Sequence, residues 1–305
     1  MKNNKIIALI YKDYMFYLNK ILYSISPKCA ANKEYKKFFK KNIDWDSPKN
    51  LIEKIFWLQF NSDTSLWTKY ADKYLVREFV KEKGYENYLP KLYGKWDNPN
   101  DINFDELPER FVLKSNNGCG TVIVVKDKLQ LDYESTIKQL TKWLKRPFGY
   151  SAAQSHYLKI KPCIIAEEFL ENTSENSSSI VDYKIWCFNG EPESILVVSD
   201  RLSINDYSLS FYNLNWTNIS NMTLTEYSKN KCWKNVDKPD SLDKMLEIAK
   251  SLSKGFPQVR VDFYDVDGHP YFGEMTFTTG FGNYTENYYN YLGAKVDLSL
   301  SKRIS

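Results

Sequence analysis

The sequence predicts an α+β chain in which helices alternate with antiparallel hairpins. Two observations carry that expectation. The dipeptides Asn189-Gly190 and Asp267-Gly268 stand between strand-like runs, the short-range mark of a hairpin. Segments 65–84, 134–145 and 241–253 instead repeat apolar residues at helical spacing. A chain of 305 residues has room for two or three subdomains around a substantial core. Aromatic residues make up 16% of it, which excludes a disordered chain.

In chain order, the segment MKNNKIIALIYKDYMFYLNKILYSIS is apolar but interrupted at Lys12, Asp13 and Lys20, and no small-residue cleavage site follows. It predicts neither a signal peptide nor a spanning helix. A helix packed on the body is expected, with a peripheral membrane contact as the alternative. Residues 34–60 are helical in pattern with a break near Trp45, and Ser47-Pro48 is read as a helix start. The next helix is expected over 65–84, stopped by Gly84, with Lys73 and Arg77 four apart on one face. Residues 109–128 then read as strand, glycine turn (Asn116-Asn117-Gly118-Cys119-Gly120) and return strand Thr121–Val125. After the helix at 134–145, residues 162–170 form a buried strand leading into a polar loop at 171–179, the candidate mobile segment. Asp182–Gly190 and Glu193–Val198 make a hairpin, and the helix at 241–253 precedes the last one.

Composition narrows the chemistry. The 42 Lys+Arg against 38 Asp+Glu leave +4, too little to argue for nucleic acid. Five widely spaced cysteines (29, 119, 163, 187, 232) contain no CxxC pair, so neither a zinc ribbon nor a disulfide framework is indicated. With only His156 and His269, a histidine metal site or a Ser-His-Asp triad is disfavoured. Carboxylates, lysines, arginines and backbone amides remain.

The stretch VRVDFYDVDGHPYFGEMTFTTG (259–280) concentrates those groups. Alternation puts Arg260, Asp262 and Tyr264 on one face of the first strand, and Phe272, Glu274 and Thr276 on one face of the second. A three- or five-residue loop would set Asp262 opposite Glu274 at roughly 5 Å. Two carboxylates so close need a cation or a shared proton, and carboxylates plus a hydroxyl suit Mg2+. Two unrelated solvated acids are the alternative. Upstream, the glycine loop can bring backbone N–H groups against a phosphate, with Lys114 at its mouth; an ordinary hairpin is the competing reading.

The order of these pieces resembles the ATP-grasp superfamily. The motifs LKSNNGCG, AEEFL, DYKIWCFNGEP and the closing hairpin, over residues 65–285, resemble its TupA-like (teichuronopeptide biosynthesis-like) branch. The resemblance implies an ATP-grasp fold, two α+β subdomains holding ATP between them. They would span 65–166 and 167–305, after a mainly helical region at 1–64. It places Lys73 and Lys114 on ATP phosphates, and Asn117, Gly118, Cys119 and Gly120 in the loop over them. Glu167, Glu168, Phe169 and Leu170 fall at the adenine hinge and Asp182 at the ribose. Lys184 lies near the transferred phosphate, Arg260 on the transition state, and Asp262, Glu274 and Thr276 on Mg2+. Thr276 stands where the wider superfamily carries Asn, a hard ligand but a shorter one.

The function this implies is an ATP-dependent carboxylate–amine ligase, ADP-forming and cytoplasmic or at the inner face of the membrane, acting in capsule or other surface-polysaccharide synthesis. A uronic-acid-containing glycan or nucleotide sugar would be the acceptor, and an amino acid or small amine the donor. A phosphotransferase or glycosyltransferase using the same nucleotide cradle, and a non-catalytic nucleotide- or sugar-binding protein, are the alternatives. Asp200-Arg201 and Tyr284, Tyr288, Tyr289 and Tyr291 are candidates for the acceptor site, with ordinary packing as the competing reading.

Overall fold

The computed structural model describes residues 2–172, 177–203, 206–225 and 235–301. Cys232 and residues 173–176 of the expected mobile loop lie outside them. The chain opens with three helices, α1 (Lys2–Ile25), α2 (Pro27–Phe39) and α3 (Leu51–Asn61). Ser26 caps α2 by accepting from Cys29 N, with Pro27 in the first turn where no N–H is needed. The expected start of α3 at Ser47-Pro48 shifts to Asn50. Its side chain accepts from Ile52 and Glu53 N while Glu53 accepts from Asn50 N, a reciprocal box that Ser47 cannot form. The inner face of α1 meets the body where Tyr23 donates to Ser155 Oγ (2.7 Å) and Arg146 to Asp13 (2.6 Å). No helix among the described residues is long and apolar enough to cross a membrane.

The single helix expected over 65–84 is two short ones, α4 (Ser65–Ala71) and α5 (Val76–Glu82). Asp72 breaks it. Its backbone is extended (ψ 112°), and its carboxylate accepts from Tyr74 N (2.8 Å), Leu75 N (3.2 Å) and Asn116 Nδ2 (2.8 Å). A short carboxylate that satisfies the N–H groups ahead of it competes with the helical ladder. Lys73 and Arg77 therefore do not share one helix face: Lys73 lies in the break and Arg77 on α5.

Two antiparallel sheets follow. The first has strands β1 (Leu92–Trp96), β2 (Phe111–Ser115), β3 (Val122–Val125) and β4 (Ile164–Glu168) in the order β1-β4-β2-β3. Phe111, Leu113, Ile164 and Ala166 bury one face beneath helix α6 (Tyr133–Lys145) through Leu140. The second has β5 (Asp182–Phe188), β6 (Glu191–Ser203), β7 (Asp206–Asn213), β8 (Gln258–Val266) and β9 (His269–Thr276) in the order β7-β6-β5-β8-β9. Strands β1 and β7 have no counterpart in the sequence reading. Helix α7 (Ser220–Thr223) follows β7, α8 (Leu242–Ser253) packs on β5, β6 and β8, and α9 (Glu286–Lys295) packs on α3. The alternate positions Ile185, Cys187, Val261, Phe263 and Met275 join Met245, Ile248 and Leu252 of α8 in the main core.

The last hairpin turns on Asp267 (φ 52°) and Gly268 (φ 76°), and such a two-residue turn pairs Val266 with His269. Continued regularly, that register would set Gly273 opposite Asp262. Instead the ladder slips by one between Asp262 and Phe263, so that Asp262 faces Glu274. Gly273 is the extra residue of the bulge, where a Cβ would approach Asp262 O at 3.1 Å and Tyr264 Cε2 at 3.3 Å. The expected pairing of the two acids is thus reached by a two-residue turn plus a bulge, not by a three- or five-residue loop. The same bulge puts Phe272 opposite Phe263 on the core face, away from Glu274, whose face it was expected to share.

His156 is fully buried against Trp67, Tyr157 and Phe277, and neither ring nitrogen has a protein partner. Burial lowers its pKa to about 3. Because the unfolded chain takes up a proton that the folded chain refuses, stability is complete above the ordinary histidine pKa. It is lost at about 1.4 kcal/mol per pH unit as pH falls below about 6.5. Urea denaturation at pH 7 and pH 5 should show this slope in the native protein and lose about one proton of it in His156→Leu.

Candidate active site

Strands β5, β8 and β9 place the charged residues by register alone. Lys184 is directly opposite Asp262 and Asp182 opposite Tyr264, while Asp262 and Arg260 face Glu274 and Thr276 across the hairpin. Paired residues point to the same side, so Asp182, Lys184, Arg260, Asp262, Glu274 and Thr276 share the face opposite α8.

Lys184 Nζ lies 2.6 Å from Asp182 Oδ2 and 2.5 Å from Asp262 Oδ2. Arg260 grips Asp262 with two parallel bonds, Nε to Oδ1 at 2.7 Å and Nη2 to Oδ2 at 2.8 Å. It also donates to Thr276 Oγ1 (3.1 Å) and Thr279 Oγ1 (3.3 Å). Lys73 Nζ reaches Glu274 Oε2 at 3.1 Å and donates to Gly118 O at 2.7 Å. Three cations and three acids thus close on one another. Burial opposes the charge of Lys184, yet Asp182 and Asp262 outweigh it and raise its pKa. Burial likewise opposes the charge of Glu274, but Lys73, Lys184 and Arg260 hold its pKa well below the usual carboxylate range. For Asp182 burial prevails over Lys184 and its pKa is raised; its Oδ1 is buried and accepts no protein hydrogen bond. Arg201 stands 3.6 Å from its other oxygen.

The four-stranded sheet contributes a second group. Lys114 pairs with Ile165 across β2 and β4, which sets it diagonal to Glu167 on the same face. Glu167 bridges Lys114 Nζ (2.8 Å) and Arg77 Nη1 (2.8 Å), and Arg77 Nη2 donates to Pro90 O (2.7 Å). Two cations share one carboxylate, so the group carries one positive charge in excess. The loop between β2 and β3 is anchored by Asn116, buried and bonded to Asp72, Lys161 O and Cys163 N. Asn117 is buried, Cys119 and Gly120 are exposed, and Gly120 takes φ 73°.

Of the expected site residues, the structure gathers Lys73, Asp182, Lys184, Arg260, Asp262, Glu274 and Thr276 into one cluster, with Gly118 at its edge. Lys114 and Glu167 form the neighbouring one. Glu168 turns away, accepting from Lys91 N (3.1 Å), and Phe169 stacks beneath Arg110 at 4.3 Å. Leu170 follows β4 and is partly buried. The tyrosines proposed for an acceptor belong largely to the core. Tyr284, Tyr288 and Tyr289 are buried, with Tyr284 taking the Trp186 Nε1 bond and Tyr288 donating to Ser194 Oγ; only Tyr291 is exposed, bonded to Glu193. Residues 177–179 are tied to Asp200 and Arg201 by Ser178 N to Asp200 Oδ1, Asp200 N to Ser177 Oγ and Arg201 N to Ser179 Oγ, each 2.8 Å. Sequence reasoning missed Thr279, which has no spacing signal, and gave Arg77 no role in the site; the apolar neighbours Val76, Phe79 and Val80 mark its buried helix.

The sequence matches the TupA-like ATPgrasp family pattern over residues 53–300. The chain belongs to that family. Its fold is the ATP-grasp fold, preceded by N-terminal helices. No curated protein matches the sequence. Solved structures similar to it include D-alanine–D-alanine ligase from Bacillus anthracis complexed with ATP, at 15% identity and TM-score 0.43, over 71% of this chain and 58% of that one. They also include D-alanine–D-alanine ligase from Helicobacter pylori (15%, 0.38, over 75% and 59%). A third is N5-carboxyaminoimidazole synthase from Aspergillus clavatus with ADP and its ribonucleotide (12%, 0.40, over 71% and 46%). The chain therefore spans less than two thirds of each.

The family implies Mg2+, and the residues fit it. Asp262, Glu274 and Thr276 present hard oxygens on one sheet face, the donor type of an ion held by one or two carboxylates plus phosphate. Among the described residues no group of three or more His, Cys, Asp or Glu is placed to hold a metal ion.

Removing the Glu167 carboxylate leaves the Arg77 guanidinium buried and unpaired. Glu167→Ala should cost about 3–5 kcal/mol in urea denaturation, and Arg77→Met with Glu167→Met should recover much of it. A loss under about 1 kcal/mol would mean that the pair behaves as a solvated surface contact.

Proposed function

We propose that this chain is an ATP-dependent, ADP-forming carboxylate–amine ligase that modifies a bacterial surface polysaccharide or its precursor in the cytoplasm. The observation that carries the reading is Lys73. It joins the glycine loop of one sheet, through Gly118 O, to Glu274 of the other, so a triphosphate lying against it would meet both charged groups. The family and the register of β5, β8 and β9 support the roles that follow.

Lys114, with the excess charge it shares with Arg77, and Lys73 take the phosphates, while the loop Asn117-Gly118-Cys119-Gly120 covers them. Glu167 orients Lys114, and the segment Glu168-Phe169-Leu170 borders the adenine. The bare Oδ1 of Asp182 accepts from a ribose hydroxyl. Asp262, Glu274 and Thr276 would hold Mg2+, which would supply charge neutralisation to the phosphates. Arg260 and Lys184 then stand over the transferred phosphoryl group, where positioning and fixed charge do most of the work. A substrate carboxylate oxygen bonds to the γ-phosphorus as the bond to the β-phosphate oxygen breaks, releasing ADP. An amine then attacks the acyl carbon, phosphate leaves with the bonding pair, and the amine proton passes to solvent. A hexuronic acid is the proposed acceptor and an amino acid or small amine the donor, in line with the family's name.

The test is ADP and phosphate release from Mg–ATP with a uronic-acid glycan and a panel of amines, followed by mass spectrometry for the amide. Asp262→Ala should abolish turnover in a folded protein. Lys114→Met should weaken ATP binding by roughly ten- to a hundredfold, the loss of about 1.5–3 kcal/mol in a charge-assisted contact. Arg260→Ala should cost more in rate than in ATP binding. AMP and pyrophosphate as products, or phosphate left on a sugar hydroxyl, would reject ligation in favour of the phosphotransfer alternative.

A further inference from the structure

Among the described side chains of helix α1, from Tyr11 onward, one apolar face packs on the body and a second is exposed. Tyr23 and Leu22 pack on the core, and Phe16 meets Tyr150 edge-on at 6.0 Å. The other face carries Tyr11 (62% exposed), Tyr14 (61%), Tyr17 (59%), Ile21 (58%) and Ile25 (78%), with Leu18 between them. A surface helix normally spends its second face on charge; one that is apolar all round is buried in something. Helix α1 precedes residues 53–300, so the nucleotide machinery does not account for this face.

We propose that this face of α1 docks the protein on an anionic lipid bilayer, lying in the headgroup region without crossing it. Three arguments select that occupant over a second copy of the chain. The first is charge: α1 holds Lys2, Lys5, Lys12 and Lys20 against Asp13, four minus one or +3, and Asp13 is already paired with Arg146. A basic helix is attracted to anionic headgroups and repels its own copy. The second is area. From Tyr11 to Ile25 the stripe runs about 21 Å along the axis, and one helix pair of that length falls short of the roughly 1,200 Å2 that a stable interface buries. Of the positions beside it that would set register between two copies, Met15 and Ser24 carry no charge. The third is side-chain type. Tyrosine, apolar in its ring and polar at its tip, suits the membrane–water boundary, and three of the six exposed residues are tyrosines. The proposal stands whether or not the chain is a ligase.

The test is sedimentation of the full chain with vesicles of phosphatidylcholine alone and of phosphatidylcholine with about a third phosphatidylglycerol, a fraction chosen to mimic an anionic leaflet. Binding is expected to the anionic vesicles and to weaken in high salt. The double variant Leu18→Ser with Ile21→Ser should lower it by about a hundredfold, since binding scales with buried apolar area. An unchanged thermal midpoint shows that the variant is folded. Tyr14→Trp gives a second readout, a blue shift of its emission with anionic vesicles. Absence of sedimentation and of the blue shift overturns the proposal, and so does a dimer in sedimentation equilibrium that the double variant dissociates.

Discussion

The structure turns on the mutual neutralisation of six buried or half-buried charges. Lys73, Lys184 and Arg260 oppose Asp182, Asp262 and Glu274, so the face shared by β5, β8 and β9 holds no net charge. Charges withdrawn from water persist only when paired, and each of these is held by at least one partner from another strand or from the break after α4. The arrangement also constrains function. The cations proposed for a triphosphate are occupied by the acids proposed for its metal, so a nucleotide alone would leave carboxylates facing phosphates. The ion alone would face three cations. Each ligand makes the other's site available, and the two are expected to enter together.

Backbone devices set this up more than side-chain choice does. The bulge at Gly273 brings Glu274 opposite Asp262, and any bulkier residue there would press on the Asp262 carbonyl. Asp72 breaks a helix that would otherwise continue, and the break lets Lys73 reach sideways to Gly118 and Glu274 while its backbone N–H bonds Asn116 O. Asn116 ties the same corner to Lys161 and Cys163. The loop between β2 and β3 and the end of α4 are thus one hydrogen-bonded unit.

Most of the charged cluster was legible because strand alternation is a rigid code. Once the residues around Asp267-Gly268 and Asn189-Gly190 are strands, Asp182 with Lys184 and Arg260 with Asp262 must share faces, and family resemblance adds Lys73 and Lys114. What the sequence concealed depends on long-range partners. Periodicity alone makes residues 65–84 one helix, because the Asn116 amide that occupies Asp72 lies forty-four residues away. The same holds for Arg77, buried only because Glu167 is there to meet it. The bulge was invisible because a glycine inside a strand can be a bulge, a kink or a simple gap.

The most direct test is a crystal structure of the protein with Mg2+ and a non-hydrolysable ATP analogue. The account predicts that the Asp262 and Glu274 oxygens move onto the ion while the Lys73 and Lys184 ammonium groups leave them for phosphate oxygens. Nucleotide bound elsewhere, with the pairs Lys184–Asp262 and Lys73–Glu274 intact, would contradict it.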